Sequence, residues 1–221
     1  MLQHVYERAS RARYLSRTII ATDDRRVYEV ARSFGAEVRM TRSDHLSGTD
    51  RVAEAASAEN ASIVVNIQGD EPLIDPNAID LAILPLVNDS SVVMSTLKKR
   101  IDDPREMADP NVVKVVTNRS GDAIYFSRSP IPYERDEGTR TAGFKHIGLY
   151  VYRRDFLLNY SALPVGPLEI SERLEQLRAL ENGYPIRVAE TDYESVGVDT
   201  PQDLEKVSRM FEHLCVSEPR P

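Results

Sequence analysis

The chain has 221 residues, 28 basic against 35 acidic side chains and a formal net charge of -7, and its 41% apolar content is that of a folded domain rather than a disordered chain. A pI near 5.2 excludes nucleic-acid binding by overall basic charge, and the single cysteine, Cys215, excludes an internal disulfide framework or a Cys-rich zinc site. No apolar run approaches the roughly 20 residues that cross a bilayer, and MLQHVYERASRAR lacks the apolar core of a signal peptide, so the expectation is a soluble cytoplasmic protein with neither a membrane nor a nucleic-acid partner.

Leu2, Val5, Tyr6 and Ala9 recur at helical spacing and predict an amphipathic helix over 2–13. The β-branched run Thr18-Ile19-Ile20-Ala21 predicts a buried strand. Asp23 and Asp24 then cap a helix with Val27, Val30, Ala31 and Phe34 on its inner face, and Gly35 ends it. Glu37 to Met40 reads as a strand, Asp50 to Glu59 as a helix, Ser62 to Ile67 as a buried strand, Asp75 to Val87 as a helix and Val92 to Leu97 as extended. This alternation predicts an α/β fold with a mostly parallel sheet covered on both faces. Val112 to Val116 and Ala123 to Ser127 flank a turn at 118–122 and predict a hairpin. Residues 130–142, with two prolines, read as a polar substrate loop. A strand over Phe144 to Val151, helices over Asp155 to Leu163 and Glu169 to Glu181, and a strand over Ile186 to Glu190 follow. Pro201 opens a last helix, with Thr200 and Asp203 as a capping box. No linker divides the chain, so 1–221 reads as a single domain, with 102–170 as a possible inserted subdomain.

Four groups of residues are candidates for chemistry. In Val65-Asn66-Ile67-Gln68-Gly69-Asp70 a buried strand runs straight into polar residues, and ligands of open α/β sheets bind beyond such strand ends. Asp70 would hold Mg²⁺ on a nucleotide's phosphates, or else satisfy backbone donors of a turn. Asp199 also precedes a helix, and either pairs with Asp70 on one hard cation or merely favours the helix N-terminus. Thr41 to Arg51, with Ser47, Gly48, Thr49 and Arg51, offers free N–H groups to an anion, or is simply a capped helix start. Arg128, His146, Tyr150, Glu169 and Gln176 form a fourth group. There the plain alternatives are a structural strand histidine and i,i+3 pairing on a helix surface. Four scattered histidines lack metal-ligand spacing, and no nucleophile elbow, zincin motif or P-loop is present.

Taken together, the segments resemble the 3-deoxy-manno-octulosonate cytidylyltransferases, or CMP-Kdo synthetases. The resemblance rests on IIATDD (19–24), MTRSDHLSGTDR (40–51), VVNIQGDEPLI (64–74), PNVVKVV (110–116) and AIYFSRSPIPYERD (123–136), in family order. It continues through KHIGLYVYRRDFL (145–157), PLEISERLEQLRALENGYPI (167–186) and GVDTPQDLEKV (197–207). It implies a Rossmann-like nucleotide-diphospho-sugar transferase fold with an inserted β-rich dimerisation or substrate subdomain. It further implies use of CTP and the acid sugar Kdo, release of CMP-Kdo and pyrophosphate for lipopolysaccharide synthesis, a Mg²⁺ cofactor and a homodimer. By the same resemblance Asp70 and Asp199 are the metal-binding and catalytic pair. Ser47, Gly48, Thr49, Arg51 and Gln68 contact the nucleotide, and Arg128, His146, Tyr150, Glu169 and Gln176 receive the sugar acid. The family opens with a strand and a loop like I-P-A-R-x-x-S-x-R-L-P-G-K-P-L, which carries an Arg and a Lys for the triphosphate. No segment here matches it, so the resemblance implies a missing stretch of roughly 25 residues. The alternatives are a CMP-sialic acid or 8-amino-Kdo cytidylyltransferase, or a truncated, non-catalytic homologue.

Overall fold

The structure, a computed structural model, describes residues 1–136 and 143–217, with side chains as far as residue 211. Part of the expected loop over 130–142 and the side chains of His213 and Cys215 therefore lie outside the described residues. The first half runs α1 (Leu2–Ala9), β1 (Ile19–Thr22), α2 (Arg25–Ser33), β2 (Glu37–Met40), α3 (Gly48–Ser57), β3 (Ile63–Asn66), α4 (Pro76–Asn88) and β4 (Met94–Arg100). Then follow α5 (Pro104–Ala108), β5 (Lys114–Thr117), β6 (Ala123–Ser127), β7 (Phe144–Arg153), α6 (Arg154–Tyr160), α7 (Pro167–Glu172), α8 (Leu177–Glu181), β8 (Arg187–Glu190) and α9 (Pro201–Ser217). Among the described residues no helix is long and apolar enough to cross a membrane.

Local chemistry sets the helix starts. Asp24 accepts from the Arg26 N–H at 2.7 Å, Ser47 from the Asp50 N–H at 3.1 Å and Asp75 from the Asn77 N–H at 2.9 Å. At α9 the Asp203 N–H donates to Thr200 Oγ1 at 3.2 Å while the Thr200 N–H donates to Asp203 Oδ2 at 2.9 Å, the expected capping box. Gly35 and Gly183 take φ of +81° and +80° just past helix ends, a conformation that suits a residue without Cβ.

Strands β1 and β2 form a parallel pair of their own. The main sheet has the order β6-β5-β7-β4-β8, and β3 also pairs with β7. The long strand β7 is the spine. Its alternate residues Ile147, Leu149 and Val151 pack with Val5 and Ala9 of α1 and with Ile79 and Ile83 of α4. The opposite face carries Tyr152 against Phe156, Tyr160, Leu177 and the alanines of α3. Both faces are covered, as expected of an α/β fold.

Three details depart from expectation. The sheet is mixed rather than mostly parallel: β4–β8 is parallel, but β7 runs antiparallel to β3, β4 and β5. The reason is that β7 slots between β4 and the β5–β6 hairpin, a pairing that strand–helix alternation alone does not encode. The helix expected over Glu169 to Glu181 is broken into α7 and α8, because Arg173 takes the left-handed φ of 52° and Glu172 is drawn down onto β6. Val30 is 60% exposed whereas Ala31 is fully buried, since the two-stranded sheet offers α2 a narrow face.

Candidate active site

Strand β3 ends at Asn66, and the chain turns through Gln68, Gly69 and Asp70. The segment ahead of α9 comes back to this turn. The Val198 N–H donates to the Asp70 carbonyl at 3.0 Å, and a Cβ on Gly197 would lie 3.9 Å from Asp70 Oδ2. Asp199 follows directly, so carboxylates 129 positions apart share one edge of the molecule. Among the described residues neither the Asp70 nor the Asp199 side chain has a cation or hydrogen-bond donor. Glu71 turns the other way, buried, and accepts from Tyr193 Oη at 3.1 Å. Burial pushes its carboxyl up, a trend that hydrogen bonds from Ser195 and Tyr193 oppose and the Asp70 charge reinforces. No group of three or more Asp, Glu, His or Cys converges as a metal cluster among the described residues. Two unpaired hard-oxygen donors nevertheless fit Mg²⁺, which takes few protein carboxylates and fills its octahedron with water and phosphate oxygens.

The start of α3 faces the same region. Ser47 caps the helix, and its Oγ also donates to Glu175 Oε1 at 3.3 Å. Thr49 is buried and hydrogen bonds to Glu175 as well. Burial raises the Glu175 carboxyl above its usual range, and the bonds from Thr49 and Ser47 and the Arg178 charge only partly offset this. Arg51 points along the strand ends. It binds Thr41 Oγ1 at 2.6 Å and Asp23 at 3.2 Å, tying β1, β2 and α3 together. Gln68 is exposed at the tip of the β3 turn.

On the α3 side of the sheet, His146 and Tyr150 stand on β7 with Gly148 between them. Their ring centroids are 5.3 Å apart, and a Cβ on Gly148 would meet nothing within 4 Å, so open space lies over the strand here. Pairing of β7 with β3 ends at Tyr150, and pairing with β5 begins at Lys145. The edge of β7 between them is thus an opening beside the Gln68–Asp70 turn. His146 Nε2 lies 2.8 Å from Thr96 Oγ1, and the ring packs edge-on to Phe126 at 5.0 Å. Burial pushes its imidazole down to about 3, so it is a neutral group. Burial pushes the Tyr150 hydroxyl up, and the nearby Tyr160 and Glu175 add to it.

Arg128 ends β6 and is held in place. Its Nε donates to the Glu172 carbonyl at 2.8 Å and its Nη1 to the Pro110 carbonyl at 2.9 Å. Glu172 in turn accepts from Ser127 Oγ at 2.6 Å and the Arg128 N–H at 2.9 Å. Burial works against the Glu172 charge, yet these hydrogen bonds win and hold the carboxyl below its usual range. Gln176 is buried, and its Nε2 is the orphaned side-chain donor among the described residues. Glu169 is engaged elsewhere, gripped by Arg178 through contacts of 2.8 and 2.6 Å.

The structure therefore brings Asp70 to the Gly197–Val198 stretch that leads into Asp199, and sets Ser47 and Thr49 against the stretch that carries Gln176. His146 and Tyr150 share one face of β7. It places Glu169 in a separate ion pair and Arg51 in the framework. Glu175 and Glu172 hold Ser47, Thr49 and Arg128 in place, although in the sequence they are simply two more acidic residues of the expected 169–181 helix. The signal that marks them is their position either side of a break that only the tertiary contacts reveal.

An α/β sheet with a strand-end carboxylate beside the approach to α9 and a capped helix start has the build of a nucleotide-binding domain. Residues 1–192 match the cytidylyltransferase family. A 3-deoxy-manno-octulosonate cytidylyltransferase of Solibacter usitatus (strain Ellin6076) is 76% identical over 211 residues, covering 96% of this chain and 84% of the relative. One from Geobacter metallireducens is 56% identical, covering 94% of this chain and 85% of the relative. A solved CMP:2-keto-3-deoxy-manno-octonic acid synthetase complexed with CTP superposes with a TM-score of 0.92 at 44% identity, over 96% of this chain and 87% of that one. A 4-diphosphocytidyl-2C-methyl-D-erythritol synthase from Anaerococcus prevotii, 12% identical with a TM-score of 0.63, shares the fold over 96% of this chain and 88% of its own. The chain belongs to the cytidylyltransferases, and among them to the 3-deoxy-manno-octulosonate cytidylyltransferases.

Proposed function

We propose that this chain joins the cytidylyl group of CTP to Kdo, giving CMP-Kdo and pyrophosphate for lipopolysaccharide synthesis. The observation that carries the reading is the likeness in sequence and shape to proteins of that name along nearly the whole chain. The reaction is attack of the sugar's anomeric hydroxyl on the α-phosphorus, in line with departing pyrophosphate. Such a transfer depends on positioning and on charge neutralisation more than on covalent help.

The residues divide that work. Asp70 and Asp199 would hold Mg²⁺, their free carboxylates supplying the protein's share of its oxygens. When bound, the ion neutralises phosphate charge and lowers the pKa of an oxygen that it holds. Ser47, Gly48 and Thr49 present helix-start amides to the nucleotide, with Glu175 fixing the hydroxyls of Ser47 and Thr49. Gln68 reaches the nucleotide from the β3 turn. Arg128, anchored through Nε and Nη1, keeps Nη2 for the sugar's carboxylate. His146 and Tyr150 are uncharged hydrogen-bond partners for its hydroxyls, and Gln176 Nε2 is a donor that a bound hydroxyl would satisfy. Exposed Ile124 and Ile170 support a homodimer that covers this side of the molecule, and a CTP-consuming reaction suits the cytoplasm.

The test is coupled pyrophosphate release with CTP and Mg²⁺, run with Kdo, 8-amino-Kdo and a nine-carbon sialic acid. Turnover with Kdo is expected. Turnover with another acid but none with Kdo, or a folded chain inert to all three, would overturn the reading.

A further inference from the structure

Strand β5 opens with a lysine in the interior. Lys114 is fully buried and stands opposite Ser127 on the end rung of the β5–β6 ladder. Among the described residues its ammonium forms no ion pair. It donates instead to three backbone carbonyls, those of Asp109 at 2.8 Å, Val112 at 2.6 Å and Arg128 at 2.6 Å. Three N–H donors meet three acceptors, a count that only the charged form supplies. Burial pushes the ammonium down from its ordinary range, a trend that the charges of Asp109 and Glu172 oppose and that of Arg128 reinforces.

A methionine would fill the same space without the cost of burying a charge. What the lysine adds is a tie between two segments that the ladder no longer holds. On one side is the 109–112 turn, in which Asp109 Oδ1 accepts from the Asn111 N–H at 2.8 Å and the Asp109 carbonyl from the Val112 N–H at 3.2 Å. On the other is Arg128, one residue past the end of β6. The turn also grips the far end of that arginine, because the Pro110 carbonyl accepts from Arg128 Nη1 at 2.9 Å. The next carbonyl but two along the chain, that of Val113, accepts from the His146 N–H at 2.8 Å. One buried nitrogen thus joins the main chain of Arg128 to the turn that anchors its guanidinium and leads directly to the backbone of His146.

We propose that Lys114 is a positioning residue for the sugar acid: it locks the 109–112 turn to the Arg128 backbone, and so aims the guanidinium at the acid's carboxylate and fixes its spacing from His146. The inference rests on the Kdo reading above and deepens it. Glu172 holds Arg128 independently, through the backbone N–H at 2.9 Å and Nε at 2.8 Å. Without the lysine, Arg128 therefore stays in the site and keeps its charge, but the Nη1 anchor is free to drift. The loss falls on alignment with the sugar's carboxylate, and a bidentate contact is sensitive to alignment.

Steady-state kinetics with CTP and Kdo varied separately test it. Lys114→Met keeps the volume and removes all three donors. KM for Kdo should rise about tenfold or more while KM for CTP stays within about twofold. Arg128→Ala alone should raise KM for Kdo at least as far, and adding Lys114→Met to it should raise it no further, since the lysine acts through the arginine. If Lys114→Met does not fold, Lys114→Gln, which keeps a single donor group, is read in the same way. A lysine that only stabilises the fold would lower the unfolding midpoint and the active fraction, and with it the apparent kcat, while both KM values held; that result would overturn the proposal. Additive effects of the two substitutions on KM for Kdo would overturn it too. A raised KM in Arg128→Ala beside an unchanged one in Lys114→Met would remove Lys114 alone. An unchanged KM in Arg128→Ala would instead overturn the sugar-acid role of Arg128, and this inference with it.

Discussion

His146 gives a sharp test of how the sheet face is built. Burial holds its imidazole down to about 3, whereas an unfolded chain protonates it near the ordinary value of about 6.5. Between those two values the unfolded state binds more proton than the folded one, so stability falls as pH falls through that window. Evaluated at pH 4, the difference is worth on the order of 3 kcal/mol. The substitution His146→Gln keeps a group able to bond Thr96 Oγ1 but removes the titration. Urea unfolding of both proteins from pH 7 to pH 4 reads the effect. Glu71 and Glu175, both raised by burial, slope the other way in each protein, so the difference between the curves isolates His146. The parent should lose about 3 kcal/mol more than the variant across that range. Parallel curves would refute a neutral, enclosed imidazole, and an imidazole resonance titrating near 6.5 in the folded protein would do the same.

Asp70→Asn should cut pyrophosphate release by about a hundredfold or more while leaving the unfolding midpoint nearly in place, since the half-buried strand-end carboxylate has no ion pair or hydrogen bond to lose and asparagine matches its shape. Chelation should silence the parent in the same assay, with Mg²⁺ restoring it. Arg178→Ala should destabilise by about 3 kcal/mol, because it strands the Glu169 carboxylate in a site where both side chains are 12% exposed. The double variant with Glu169→Ala should recover part of that loss in thermal unfolding. Glu175→Gln should raise KM for CTP more than it lowers kcat, because Ser47 and Thr49 lose the carboxylate that orients them; an unchanged KM would detach Glu175 from the nucleotide side.

Much of the fold is legible in the chain because its signals are local. Asp24, Ser47, Asp75 and the Thr200–Asp203 box start helices where their side chains reach the second or third N–H. The short helix α5 carried the same signal, since Asp103 ahead of Pro104 accepts from the Arg105 N–H at 2.9 Å, but without apolar periodicity it did not stand out. The neighbours of β7 were not legible. A strand's sequence states which residues face each side, and Ile147, Leu149 and Val151 alternate as they should. It does not state which strands lie beside it, because the partners Ile63–Asn66 and Lys114 are far away in the chain.

The site shows why the same limit falls on residue roles. At 3.6 residues per turn, an unbroken helix from Glu169 would bring Glu169, Glu172 and Gln176 onto one face and turn Glu175 away. The left-handed step at Arg173 cancels that periodicity. After it, Glu175 turns inward to Ser47, and Tyr160 Oη donates to the Glu175 carbonyl at 2.7 Å to hold the new direction. Before it, Glu172 is fixed under Arg128, and Glu169 is left to Arg178. What accompanies the step is the satisfaction of Glu172 by β6: the half-buried carboxylate accepts from Ser127, Arg128 and Tyr125, hydrogen bonds that a continued helical ladder would not supply. An acidic chain thus spends its carboxylates in two ways. Glu169 and Glu172 are neutralised by arginine and by hydrogen bonds inside the fold, while Asp70 and Asp199 are left unpaired at the edge, where a cation can join them to an anionic substrate.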